Sequence, residues 1–316
     1  MSTSFRTGLF VFMIIVSAIH ASSYSNKAMI WNAGKYFYNY RMEVSSHYIR
    51  NMLLDSGFDS KDLIQVKADN IICNSNAVDC PSLRYVPDQS DSILINPYEA
   101  DYSMRDNNPT KYLELIVNRY EPRESNSRKI ERDENTNFFF YTIGHGGDLY
   151  FKIQDTEVIF AQQVADYLND PAQAIKHRES FLLSDSCSAG TLFSLSQDVK
   201  HTYMLGTSSW AQSSTSFDHD KIYSQPLNDK FLYHFKRLIW PQLKLEEMVS
   251  VHKLKSFLNK DLLLSDLLTF NNLPRTDMLV YLNDYMIQHS SRKVETVKVH
   301  SDRTDALING FFGQTI

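Results

Sequence analysis

Asn137-Phe138-Phe139-Phe140-Tyr141-Thr142-Ile143-Gly144-His145-Gly146-Gly147-Asp148 is followed, some thirty residues on, by Ser180-Phe181-Leu182-Leu183-Ser184-Asp185-Ser186-Cys187. Each opens as a run of aromatic, aliphatic and β-branched residues, the pattern of a buried strand. Each ends in small residues, one carrying a histidine and the other a cysteine. In an open parallel sheet the residues just past the C-terminal ends of neighbouring strands share one crevice. His145 and Cys187, 42 positions apart in sequence, can therefore meet there.

The remaining pattern supports such a sheet. Ala28–Trp31 and Leu63–Val66 read as two further strands, with a helix between them starting near Glu43 and stopping at Gly57. Helical spacing recurs from Thr110 to Tyr120, from Val158 to Leu168 and from Asn228 to Trp240, and Thr202–Gly206 is another apolar run. Strands alternating with helices imply an α/β fold with a mostly parallel central sheet and helices on both faces. Residues 74–109 read as a loop rich in Asn, Asp, Ser and Pro, and the charged stretch Glu121–Asn135 as a solvated surface loop.

With 316 residues, 43% of them hydrophobic, the chain can bury a large core. Its net charge of −5 and lack of basic blocks argue against a nucleic-acid partner. Arg6, the apolar run Leu9–Ile19 and the small residues Ala21-Ser22-Ser23 form a secretory signal peptide over residues 1–21. Three cysteines, Cys73, Cys80 and Cys187, leave at least one thiol free or paired with another chain. Cys73 can bridge Cys80 or a partner subunit, and either choice leaves Cys187 as a thiol. No Asn-x-Ser/Thr acceptor occurs.

A histidine can lower a cysteine's pKa by ion pairing, and the thiolate is the nucleophile. Gly146 and Gly147 leave room for a substrate backbone, and the Gly146 and Cys187 amides can hold a developing oxyanion. Asn39, past the first strand, is a candidate to orient the imidazole. The remaining histidines show no metal-ligand spacing with Cys187, and no phosphate-cradling glycine loop occurs.

These residues carry a resemblance. Gly144-His-Gly-Gly-Asp148, Phe151-Lys-Ile-Gln-Asp155 and Asp185-Ser-Cys187 are similar to the catalytic subunits of glycosylphosphatidylinositol (GPI) anchor transamidases. That family falls in the legumain-like clan of cysteine peptidases, whose fold is caspase-like. Tyr38-Asn-Tyr-Arg41, Ala68-Asp-Asn70 with Cys73, and Glu99-Ala-Asp-Tyr102 follow in the same order. Met42 departs from the histidine usual after Asn-Tyr-Arg, and Ser186 from the usual threonine.

The resemblance implies a catalytic domain over residues 26–240 and a C-terminal extension, 241–316, of helical segments ending in Phe311-Phe312-Gly313. It implies Cys187 as nucleophile, His145 as general base and acid, Asn39 as its orienting partner, and Gly146 with Cys187 as the oxyanion hole. Arg41, Ser208 and Ser209 would bind substrate, and Cys73 would bridge to another subunit. Glu99 and Asp101 would hold a structural cation such as Ca2+, with no cofactor needed for catalysis. The implied reaction moves a preassembled GPI glycolipid onto precursor proteins bearing a C-terminal attachment signal. It would take place in the endoplasmic reticulum lumen, with membrane-bound partner subunits and no C-terminal span in this chain. A legumain-like endopeptidase using water, or an inactive caspase-like scaffold, are the rival expectations.

Overall fold

The computed structural model describes residues 24–84, 93–94, 100–171, 177–217, 219–245, 248–274 and 280–288. The expected signal peptide, Glu99 and the Phe311-Phe312-Gly313 tail lie outside them.

The strands are β1 (Ser25–Asn32), β2 (Leu63–Lys67), β3 (Tyr102–Ser103), β4 (Thr136–Ile143), β5 (Glu179–Asp185), β6 (Thr202–Gly206) and β7 (Leu268–Asn272). They form one seven-stranded sheet in the order β7-β6-β5-β4-β1-β2-β3. Every neighbouring pair is parallel except β6 with β7, which is antiparallel. From β1 the chain winds outward to β2 and β3, then returns to the other side of β1 for β4, β5 and β6. The strand order therefore reverses between β1 and β4, and a crevice opens at their C-terminal ends.

Alternation along the strands explains why both faces need cover. Ala28, Ile30, Phe139, Tyr141, Phe181 and Leu183 point to one apolar layer; Met29, Trp31, Phe138, Phe140 and Leu182 point to the other. Helix α1 (Tyr40–Asp55) covers the first layer with Val44, Tyr48, Ile49, Met52 and Leu53. Helices α2 (Pro109–Ile116) and α3 (Ala161–Asn169) cover the second with Tyr112, Leu115, Ile116 and Val164. All eight residues of β4 are buried, which is why it reads as an unbroken apolar run.

Local signals behave as their chemistry requires. Asn108 caps α2 by accepting from Lys111 N, with Pro109 in the first turn, where a missing N–H costs nothing. Gly57, past the end of α1, takes φ +94°, a left-handed value that suits glycine. Lys67 of β2 meets Glu43 of α1 at 2.5 Å, and Asn32 at the end of β1 donates to the same carboxylate at 2.6 Å. Burial alone would raise the Glu43 pKa, but Lys67 and His47 beside it hold it well below the usual carboxylate range. This buried cluster pins the start of α1 to β1 and β2.

Two expectations need correction. Val158 and Ile159 belong to a strand, Glu157–Phe160, that pairs with Tyr150–Ile153 in a hairpin; the helix starts only at Ala161. The C-terminal extension is not only helical, since Leu268–Asn272 is β7 of the central sheet. Beyond it, Tyr285 donates to Glu179 at 2.9 Å and packs its ring at a tilt against Phe181, while Asn137 donates to Asp284 O and Asn26 to Ile287 O. These contacts close the N-terminal ends of β1, β4 and β5.

Candidate active site

β4 and β5 are in parallel register with Ile143 opposite Asp185, and Gly144 N–H donates to Asp185 O. His145 and Cys187 each lie two residues past that pair, on the open rim. Gly144 leaves no room for a side chain: a Cβ there would lie 2.7 Å from the Phe151 ring and 3.0 Å from Ala33. Asn39 reaches the same rim from the turn Phe37–Asn39 that links β1 to α1.

The Asn39 amide is oriented by its surroundings. Its Nδ2 donates to Lys35 O at 2.6 Å and to Asp155 Oδ2 at 2.7 Å, so its Oδ1 faces His145 Nε2 at 2.9 Å. An amide oxygen can only accept, so His145 must carry its proton on Nε2 and present a bare Nδ1. Burial holds the His145 pKa below its ordinary value; Arg41 acts in the same direction and Asp155 opposes. Burial thus favours the ring as a base, able to take the Cys187 thiol proton.

Cys187 is the free cysteine and is partly exposed. Its sulfur makes no hydrogen bond among the described residues, as is common where a pair tightens only around substrate. The turn that carries it is braced from below. Ser208 Oγ donates to Ser186 O at 2.7 Å and accepts from Ala189 N, while Ser188, with φ 50°, donates its amide to Gln212 O. Neither the Cys187 amide nor the Gly146 amide has a partner among the described residues. Lys152 N–H bonds His145 O, which leaves Gly146 at a non-bonded place of the hairpin with its amide turned outward. Gly146 also lies hard against the cysteine turn, since a Cβ there would sit 2.8 Å from Ser186 Oγ and 2.9 Å from Cys187 O.

Beside the nucleophile lies a charged wall in which the carboxylates are buried and Arg41 is partly exposed. Arg41 Nε donates to Asp229 Oδ1 at 2.9 Å, and Ser45 Oγ to Asp229 Oδ2 at 3.0 Å. Asp185 accepts from Thr207 Oγ1 at 2.7 Å and Ser214 Oγ at 2.8 Å. Burial, then the neighbouring Asp229 carboxylate, push the Asp185 pKa up to about 7. The loop from Ser209 to Ser214 is tied to the His145 hairpin by Ala211 N–H donating to Asp148 Oδ1 at 2.9 Å.

Of the residues expected at the site, Asn39 and His145 are in direct contact, Gly146 abuts the Cys187 turn, and Arg41 lies in the charged wall. Ser209 is half-buried, its amide on Gln212 Oε1. Two expectations are overturned. Ser208 is fully buried and its hydroxyl is used within the Cys187 turn, so it supports the nucleophile and has nothing to offer a substrate. Of the two pairings left open for Cys73, the structure has the one with Cys80, across a Cα–Cα distance of 5.1 Å, in place of the bridge to another subunit. For the cation, Asp101 Oδ2 accepts from Gln65 N–H at 2.8 Å. Among the described residues no group of three or more His, Cys, Asp or Glu suited to a metal occurs, and Glu99 lies outside them.

Nothing in the sequence assigns Asp155 a task, although it closes the Phe151–Asp155 motif. Tyr38, whose hydroxyl donates to Asp155 Oδ2 at 3.0 Å, was also without one. Met42 is buried in the core, its sulfur against Gly34 beside the Asn39 turn, so the departure from histidine is filled by packing.

The family model for the peptidase C13 family matches residues 28–240. The GPI-anchor transamidase of Saccharomyces cerevisiae is 25% identical over 214 residues, covering 68% of this chain and 52% of the yeast one. That of Schizosaccharomyces pombe is 22% identical over 313 residues, covering 99% of this chain and 76% of the other. The chain thus spans about half the length of the Saccharomyces relative. Caspase-1 from Spodoptera frugiperda superposes with a TM-score of 0.46 at 10% identity over 85% of this chain and 92% of that one, too loosely to carry any inference. Among the described residues no helix is long and apolar enough to cross a membrane.

Proposed function

The chain belongs to the peptidase C13 family, and we propose that it transfers a preassembled GPI glycolipid to precursor proteins as the cysteine-dependent catalyst of a GPI-anchor transamidase. What supports this reading is the tautomer-fixed His145 on one rim with Cys187, in a chain whose relatives carry that name.

The Cys187 thiolate attacks the carbonyl of the attachment-site residue, and the free amides of Gly146 and Cys187 hold the oxyanion. His145, protonated at Nδ1 on receiving the thiol proton, gives that proton to the departing amine as the C–N bond breaks. The attachment signal leaves, and a thioester to Cys187 remains. The neutral Nδ1 then takes a proton from the ethanolamine amine of the glycolipid, whose nitrogen attacks the thioester. The C–S bond breaks, sulfur leaves as thiolate and the new amide joins protein to glycolipid. Arg41 and Asp229 present opposite charges where the residues around the attachment site would bind. Catalysis needs no cofactor. The setting is the endoplasmic reticulum lumen, reached through the signal peptide at residues 1–21. Membrane-bound partner subunits hold the chain near both substrates, and Glu99 with Asp101 would hold a structural Ca2+.

Complementation tests this. In cells lacking their own catalytic subunit, the wild-type chain should restore a GPI-anchored surface reporter, and Cys187→Ala or His145→Ala should leave uncleaved precursor. Anchoring by either variant would remove the catalytic reading and leave the scaffold. Precursor cleaved to a free carboxylate, at a rate indifferent to added hydrazine, would favour the endopeptidase.

A further inference from the structure

Phe151-Lys152-Ile153-Gln154-Asp155 forms the second strand of the His145 hairpin and its turn. Gln154 and Asp155 have φ of 52° and 62°, consecutive left-handed values that ordinarily call for Asn or Gly. Such strain persists where the surroundings impose it. Here Gln154 N–H donates to Ala33 O, and its side chain to Met104 O and Asn107 O. The turn thereby aims the Asp155 carboxylate back under the β1 rim. Oδ2 accepts from Asn39 Nδ2 at 2.7 Å, Tyr38 Oη at 3.0 Å and Lys35 N at 3.4 Å, while Oδ1 lies 3.8 Å from His145 Nε2.

We infer that Asp155 is a positioning residue for the thiolate–imidazolium pair, acting through Asn39. Two effects follow from the geometry. Together with Lys35 O, the carboxylate keeps the Asn39 amide with its oxygen toward His145; the flipped amide would set N–H against N–H and turn its oxygen on both acceptors. The negative charge also favours the imidazolium once it forms. The groups facing the ring are the cations Arg41 and Lys152 and the anions Asp155 and Asp229, with Lys35 and Tyr38 around Asp155. Asp155 is the anion that also holds Asn39. The inference rests on the His145–Cys187 pairing proposed above and is independent of the acceptor that resolves the acyl-enzyme.

Alkylation of Cys187 provides the test, because Cys73 and Cys80 are bonded to each other and Cys187 is the one remaining cysteine. The full chain, in its membrane complex, is treated with iodoacetamide from about pH 5 to about pH 9. Wild type should react at neutral pH faster than an ordinary thiol. Asp155→Asn should move the profile to higher pH, with a rate about tenfold lower near pH 7. Its rate at the alkaline end should match wild type, which reports an intact fold. Asp155→Glu, which keeps the charge, should recover part of the shift. An unchanged or acid-shifted Asp155→Asn profile overturns this inference alone; a wild-type profile like that of a free thiol overturns the pairing as well. Should Asp155→Asn fail to fold, 15N chemical shifts of wild-type His145 decide: Nε2 should stay protonated across the whole pH range, and a neutral ring with its proton on Nδ1 and a bare Nε2 refutes the arrangement.

Discussion

Asp185 sits at the end of β5, two residues before the nucleophile, and its fully buried carboxyl has a pKa pushed up from 3.8 to about 7 by burial and by Asp229. In the unfolded chain it ionises near its ordinary value, so between about pH 4 and pH 7 the folded state holds a proton that the unfolded state has lost. The contribution of this group to stability is full below about pH 4 and is lost as pH rises through about 7. At roughly 1.4 kcal/mol per pKa unit, the loss reaches about 4 kcal/mol at most. Asp185→Asn removes the titration and keeps the shape, since the amide oxygen can still accept from Thr207 and Ser214. Urea unfolding of both chains at a series of pH values reads the difference. The stability of Asp185→Asn relative to wild type should be smallest near pH 4 and should rise by about 2–4 kcal/mol by pH 8. A gap that stays constant with pH would show that Asp185 is already ionised in the folded protein.

Asn39→Ala removes the acceptor that fixes the imidazole tautomer and should lower the transamidation rate about 10²-fold or more with the fold retained, measured by reporter turnover in microsomes. Gly146→Ala places a methyl against Cys187 O and should abolish turnover while circular dichroism is unchanged. Opening the Cys73–Cys80 loop with Cys73→Ser should cost about 2–3 kcal/mol in denaturant, and non-reducing gels of the wild-type complex should show no adduct through Cys73. Gly206→Ala would bring a Cβ to 2.0 Å from Gly190 N and should destabilise by about 3 kcal/mol or more, seen as a fall in melting temperature.

The apolar strands were legible because β4 and β5 are buried on both faces, and their terminal His145 and Cys187 follow from that. Asn39 was legible as the polar residue past β1, across the switch in strand order from His145. Asp155 was not, because what makes it matter is a turn running against local preference and a contact 116 positions away in sequence. The charged stretch at Glu121–Asn135 misled in part. Ile130 and Arg132 are buried, with Arg132 stacked on Phe138 and donating to the carbonyls of Leu115 and Ile116 at the end of α2. An arginine used as a helix cap leaves no periodic trace. Strand β7 was missed for a related reason: an edge strand is only half-covered, so its five residues lack the unbroken apolar character of β4.

That edge strand bears on how the polypeptide can be divided. The match to the C13 family ends at residue 240, which invites a cut there, yet the sheet runs on to Asn272. Severed at 240, the molecule would present β6 as a bare parallel edge, a template for another chain to pair with. It would also lose Tyr285 from Phe181 and the closure over the starts of β1, β4 and β5. The part that holds the reacting atoms and the part that completes their platform are thus not separable modules, and a shortened form should be recovered as aggregate even though every residue expected to do chemistry is still present.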